Sequence, residues 1–349
     1  MNKTAAEALE QEGRWSEAAE QWRLGAEALA ERGDTEGAAE AATRAADAFR
    51  RDDRPAASAR MLRFSLQHRP ATVGDAVTLA GALMDAGEVT VASQVAAAAA
   101  DGAEHEAARA LAVDVLIGAL LAGGRVDVAR PLLDDLAEVD AASARMAARF
   151  RAAQLARLDG DLRQAEAQWR ALVALLTPHP AAAGALATTW MELGETAVLR
   201  AGLQGVPWVG AEDTTVDLAE ADACFAAASA AWARAGRRAG FLRAESWRAR
   251  LRPDGLFGTL DTAIAYADER GLVGMSVEQR VLRAVATRRP LDALHAVELA
   301  AQTPLSRGRA RVLAGELGGP FRLDLARAEL THDVPWRARA EHVGAQGDA

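Results

Sequence analysis

One cysteine, one tyrosine and one lysine stand in a chain of 349 residues, and each scarcity closes off a class of protein. Cys224 by itself excludes an intrachain disulfide and a cysteine-built zinc cluster, and it fits a reducing, cytoplasmic compartment. Tyr266 is the only tyrosine. Valine, isoleucine and phenylalanine also give way to alanine, a balance that suits close-packed helices and disfavours strands, so almost no sheet is expected. No stretch approaches the roughly 18 uninterrupted apolar residues of a membrane span. The opening residues, MNKTAAEALEQEGRW, turn polar and acidic where a secretory signal needs an apolar run. Lys3 is the only lysine, so positive charge is carried almost wholly by arginine, a bias read here as that of a GC-rich bacterial genome.

What is present in quantity is apolar and acidic. Half of the residues are apolar, enough for a continuous core, and the formal net charge is -9. An acidic average surface argues against general affinity for nucleic acid or for an anionic membrane, and points to basic or mixed protein partners.

The chain repeats itself. Short turns align as EGRWSEAAEQW at 12–22, DDRPAASARML at 52–62, AGEVTVASQVA at 86–96, GGRVDVARPLL at 123–133 and DGDLRQAEAQW at 159–169. Five places after each turn residue stands a small one: Ala18, Ser58, Ala92, Ala129 and Ala165, separated by 40, 34, 37 and 36 residues. Four places further comes Trp22, Leu62, Ala96, Leu133 or Trp169. A period of this size holds two helices of about four turns and two tight turns. The small residue lets two antiparallel backbones approach, and the residue one turn later fills the wider gap. Gly13, Gly87, Gly124 and Gly160 supply the dihedrals that end the first helix of each pair.

The segment GRWSEAAEQWRLGAEA at 13–28, with Gly13, Trp15, Ala18 and Trp22, resembles the second half of a tetratricopeptide repeat. Leu79, Ala80 and Leu83 sit where that family favours a Leu-Gly pair and a later aromatic. Phe49 fits the aromatic position in the preceding hairpin, and Pro70 and Pro178 stand near the family's closing proline. The family's early tryptophan is absent throughout, so the repeats are degenerate. The resemblance covers roughly residues 1–180 and implies an all-α, right-handed α-solenoid of about nine stacked helical hairpins. It also implies a concave wall lined by the first helix of each pair, on which Val77, Gly81, Asp114, Phe150, Gln154 and Arg157 face a groove.

After Pro178 and Pro180 the period breaks. A helix over 187–201 leads into LQGVPWVGAEDTT at 202–214, where Gly205, Pro207 and Gly210 predict a loop. Helices resume over 217–236, and three further hairpins turn at Pro253-Asp254-Gly255, at Pro290 and at Gly318-Gly319-Pro320. The expected organisation is therefore regular repeats over 1–180, irregular hairpins continuing the solenoid over 181–330, and a frayed tail over 331–349.

Catalytic chemistry finds no foothold. The six histidines, His68, His105, His179, His295, His332 and His342, are scattered, with no pair at the four-residue spacing that sets two ligands on one helical face. His105 between Glu104 and Glu106 reads as a helix start whose acids meet the dipole. LAGGRVDVAR at 121–130 lacks the strand and the lysine of a phosphate loop. Cys224 on an alanine-rich helix reads as a buried small hydrophobe. Neighbouring acids such as Asp134 and Asp135 diverge around the helix and face solvent. No cofactor and no metal is expected.

Two features invite a partner. Arg234, Arg237, Arg238, Arg243, Arg248, Arg250 and Arg252, interleaved with Phe241 and Trp247, form the densest basic stretch, although their spacing wraps round the helix and reads as an outer face. Trp208, in the Gly- and Pro-rich loop, either plugs the break in the register or anchors a partner. Trp15, Trp22, Trp169, Trp190 and Trp232 read as core. The resulting expectation is a non-catalytic adaptor or scaffold holding a peptide or helix of a partner protein in a concave groove. The alternative is a helical-repeat sensor that binds a small ligand or signalling peptide.

Overall fold

A computed structural model of the chain describes residues 3–203, 215–251 and 257–347. Among them are nineteen α-helices, one 3-10 turn and no strand. The hairpins in the order they leave the amino terminus are α1 (Lys3–Gln11) with α2 (Trp15–Glu31), α3 (Thr35–Arg51) with α4 (Pro55–His68), and α5 (Val73–Asp85) with α6 (Val89–Asp101). Next come α7 (Glu106–Ala122) with α8 (Val126–Glu138), and α9 (Ala142–Leu158) with α10 (Leu162–Leu176). A 3-10 turn at Pro180–Ala182 leads to α11 (Ala183–Leu203), α12 (Thr215–Arg234), α13 (Arg238–Leu251) and α14 (Phe257–Arg270). The chain continues through α15 (Val273–Thr287), α16 (Pro290–Leu299), α17 (Pro304–Glu316), α18 (Leu323–Glu329) and α19 (Val334–Gly347).

The turns explain the period. After the first helices of five hairpins the chain reverses through one residue of positive φ, at Gly13 (72°), Asp53 (55°), Gly87 (82°), Gly124 (74°) and Gly160 (84°). The next N–H then reaches back five residues, from Arg14 to Leu9, Arg54 to Phe49, Glu88 to Leu83, Arg125 to Leu120 and Asp161 to Ala156. This is the Schellman closure, which satisfies carbonyls the helix end leaves open. Asp53 holds the left-handed position in the one copy without glycine. Proline at the first turn opens α4, α16 and α17, where its missing N–H costs no bond.

The small residues are where the spacing puts them. Ala18, Ser58, Ala92, Ala129 and Ala165 are all fully buried. Trp22, Leu62, Ala96 and Trp169 are buried one turn later, whereas Leu133 is half-buried and Leu136 fills the core of α8 in its place.

The chain forms two compact units: Met1–Ala119 with Glu269–Leu272, and Leu120–Asp268 with Val273–Ala349. The division falls within α7, and residue 180, where regular repeats are expected to give way to irregular hairpins, lies inside the second unit. Packing runs unbroken there, because α10 packs on α11 and α11 on α12. The first unit has one alanine-rich core around Trp22, Phe49, Leu62, Leu79 and Leu83. The second has several, including Phe225, Trp247, Leu260 and Leu282 in one and Ala153, Trp169, Leu172, Leu193 and Cys224 in another.

One expectation is overturned. Residues 334–347 form a helix, not a frayed tail, and Trp336, Ala340 and Val343 are buried with Val285, Val312 and Leu313. The periodicity is missed from sequence because alanine, glycine and arginine around a single tryptophan give no apolar stripe until neighbours are known. The loop expected at 202–214, with Trp208, and the turn at Pro253-Asp254-Gly255 lie outside the described residues.

Candidate interaction surface

In the second unit the first helices of successive hairpins also pack on one another, α13 with α15 and α15 with α17, and the last helix, α19, packs on α17 and α18. First helices thus lie side by side, and residues three apart on each point the same way. On α9 these are Gln154 and Arg157, on α11 Glu192 and Glu195, on α13 Arg243 with Trp247 one turn on, and on α15 Glu278.

They form a ladder across four helices. Gln154 Nε2 donates to Glu192 Oε1 at 3.3 Å. Arg157 Nη1 pairs with Glu192 Oε2 at 2.7 Å and with Glu195 Oε2 at 3.1 Å. Arg243 continues it, Nη2 to Glu195 Oε1 at 2.7 Å and Nε to Glu278 Oε2 at 2.5 Å. Trp247 Nε1 closes it by donating to Glu278 Oε1 at 2.7 Å. Three carboxylates thus alternate with two guanidiniums.

Burial makes these pairs consequential. Arg157 is only 9% exposed, and its Nε finds no acceptor among the described residues. Desolvation works against its charge, and Glu192, Glu195 and Asp333 outweigh it, so its pKa stands raised. The same balance raises Arg243, where Glu278 and Glu195 overcome burial. Burial pushes the Glu278 carboxyl up, opposed by Arg243 and reinforced by Glu195. Low local dielectric both strengthens these contacts and penalises any member left alone.

Of the positions assigned to a groove by resemblance, Gln154 and Arg157 lie in this ladder. Phe150, half-buried, packs its ring edge-on to Trp169 of the second helix of its hairpin, with centroids 4.9 Å apart. In the first unit Val77 and Gly81 stand half-buried on α5, and a Cβ on Gly81 would meet nothing within 4 Å. Asp114, also in that unit, is half-buried on α7. The sequence reading missed Glu192, Glu195 and Glu278, although two glutamates three apart within ATTWMELGETAVLRA are a legible sign of a polar stripe on an apolar helix.

Several arginines of the basic stretch are engaged within the molecule. Arg243 belongs to the ladder, Arg248 pairs with Asp222 (3.2 Å) and Glu245 (2.8 Å), and Arg238 lies over the Tyr266 ring. Arg252 falls outside the described residues, Phe241 is exposed, and Trp247 is buried. Trp22 and Trp169 are core; Trp15, Trp190 and Trp232 are half-buried against core clusters. Burial, helped by Glu220, pushes the Cys224 thiol up to about 12, far from a nucleophile's range. No helix among the described residues is long and apolar enough to cross a membrane.

No family model matches the chain, and no curated protein matches it. Among solved structures it is similar to the TPR domain of P58(IPK), at 12% sequence identity and a TM-score of 0.27, over 99% of this chain and 97% of that one.

Proposed function

We propose that the chain is a non-catalytic interaction scaffold of the cytoplasm that holds a peptide or helix of a partner protein against its row of first helices. The observation that carries this reading is the ladder from Gln154 to Glu278. It sets hydrogen-bonding groups on four rigid helices at fixed separations, and rigid placement is what a recognition surface needs. The charge of the chain favours a partner segment with basic or mixed character.

The test compares the intact chain with one carrying Gln154→Glu, in the second unit, as bait in its native cytosol. Gln154→Glu places a carboxylate beside Glu192 without enlarging the side chain. Loss of a partner from the variant alone supports the groove. Equal retention moves the site to another face. No partner at all sinks the scaffold reading and leaves the small-ligand sensor, for which the buried charges of the ladder are the favouring observation.

A further inference from the structure

The segment at the carboxyl end of the described residues is seated as a ligand would be. Asp333, 1% exposed, opens α19 by accepting the Arg337 N–H at its carbonyl (2.8 Å), and its carboxylate pairs with Arg309 of α17 at 2.6 Å. The same carboxylate acts on Arg157 at the end of α9. Val334 and Pro335 lie against the turn that follows α9: a Cβ on Gly160 would stand 3.5 Å from Val334 Cγ1 and 3.8 Å from Pro335 Cδ.

From there α19 lays one stripe inward. Trp336, Ala340 and Val343 enter a cluster with Val285 of α15, with Val312 and Leu313 of α17, and with Ala326 of α18 and Leu330 at its end, and Leu199 of α11 packs on its margin. Gly344, on the same stripe, brings the backbone so close that a Cβ would stand 2.6 Å from Leu323 Cδ2. Arg337, Ala338 and His342 on the other side are exposed. The carboxyl halves of α11, α15 and α17, the turn after α9, and α18 through Leu323 and Ala326 therefore contribute to one seat for an amphipathic helix, which is the helix-in-groove mode of recognition.

We propose that residues 331–347 occupy in cis the partner site of the second unit, and that the partner it takes is a helix of the same pattern. That pattern is an acidic residue, an aromatic three positions later, and small or branched apolar residues four, seven and eight positions beyond the aromatic. The acid faces Arg309, the aromatic fills the place of Trp336, and the small residues permit the close approach seen at Gly344. A tethered segment competes at an effective concentration on the order of millimolar, so the cis helix sets a threshold that a partner in trans must exceed.

This inference rests on the scaffold reading, but its test needs only the chain and a peptide, so its failure leaves the partner test above standing. A fluorescein-labelled peptide of residues 331–347, wild-type in sequence, is titrated by anisotropy into the full-length wild-type chain and into full-length Trp336→Ala. Circular dichroism and hydrogen exchange of α9 to α15 report folding. The expected result is a Trp336→Ala chain that keeps its helix content and exchange protection over α9 to α15 and binds the peptide at least about tenfold more tightly than wild type. Equal binding by the two chains, or no binding to the folded variant, overturns the proposal. So does loss of protection over α9 to α15 in the variant, because α19 is then an inseparable part of the core and no occupant. Asp333→Asn, which weakens the hold on α19 without opening a cavity, is expected to raise peptide affinity in the same direction by a smaller factor, and an unchanged affinity there argues equally against the proposal.

Discussion

At the scale of single residues, the turns carry the most testable physics. Gly13 has φ of 72° and nothing within 4 Å of where a Cβ would stand, so alanine there meets no steric obstacle beyond the dihedral itself. Gly13→Ala is expected to cost about 1–2 kcal/mol, the penalty of an L-residue in the left-handed region. Arg288 is the mirror case, an exposed non-glycine residue at φ 54° between α15 and α16. Arg288→Gly is expected to stabilise, by no more than about 1 kcal/mol, because glycine also gains entropy in the unfolded chain. Urea unfolding of both variants measures the two signs, and a destabilised Arg288→Gly chain counts against the account of these turns. Four of the five glycine-or-aspartate turns were legible because glycine announces a left-handed residue. The fifth, at Asp53, was legible only through the register of the others.

Elements are held together by polar contacts that composition does not disclose. The junction of α14 and α15 shows this: Asp268 near the end of α14 accepts from Arg280 Nη2 at 2.7 Å and from the Ser276 hydroxyl at 2.6 Å. The bonds from Arg280 and then Ser276 hold its carboxyl below the ordinary range despite partial burial. A depressed folded-state pKa contributes stability above the unfolded value of about 3.9, and that contribution is lost as pH falls through the lower, folded value. The stability difference between wild type and Asp268→Asn is therefore expected to be constant above about pH 5 and to close as the pH drops below about 4. Denaturant titrations at several pH values read it directly. A difference that persists at low pH would show that Asp268 acts by packing and not by charge. Arg280 and Ser276 were invisible as partners in the sequence reading because they lie on a helix twelve and eight residues away, across a turn whose geometry alone brings them round.

At the scale of the molecule, the ladder of the second unit links hairpins that are distant in sequence. Arg157 reaches residues 35 and 38 positions on, and Arg243 reaches residues 48 behind and 35 ahead. Removing one member strands the others: Arg157→Met leaves Glu192 without its ion-pair partner and Glu195 with Arg243 alone, and is expected to destabilise the unit by about 3–5 kcal/mol, as breaking a buried pair does. Replacing Arg157, Glu192 and Glu195 together with leucine or methionine is expected to recover most of that loss, since an apolar set of similar volume leaves no charge buried. Calorimetry on the single and triple variants separates the two. A triple variant no more stable than the single one would mean that the ladder is a net source of stability rather than a device for register or recognition.

The sequence by itself determined the helical class, the hairpin period and the residues at the close crossings, because each follows from local rules. Alanine and serine stand where backbones meet, glycine where φ turns positive, and a bulky side chain one helical turn away. Absences did as much, since a single cysteine and no long apolar run leave few alternatives. Tertiary structure alone decided which first-helix residues come together. Of the residues carried over from a repeat family, Gln154 and Arg157 join the ladder and Phe150 lies against Trp169, a placement that depends on the tilt of neighbouring helices as well as on spacing. It also decided the fate of residues 334–347. Their apolar content is too thin to announce a helix, and they are ordered by the seat that α15, α17 and α18 provide. Local sequence sets what an element is, whereas the energy of burying one stripe against another is shared between partners far apart in the chain and is written in neither partner alone.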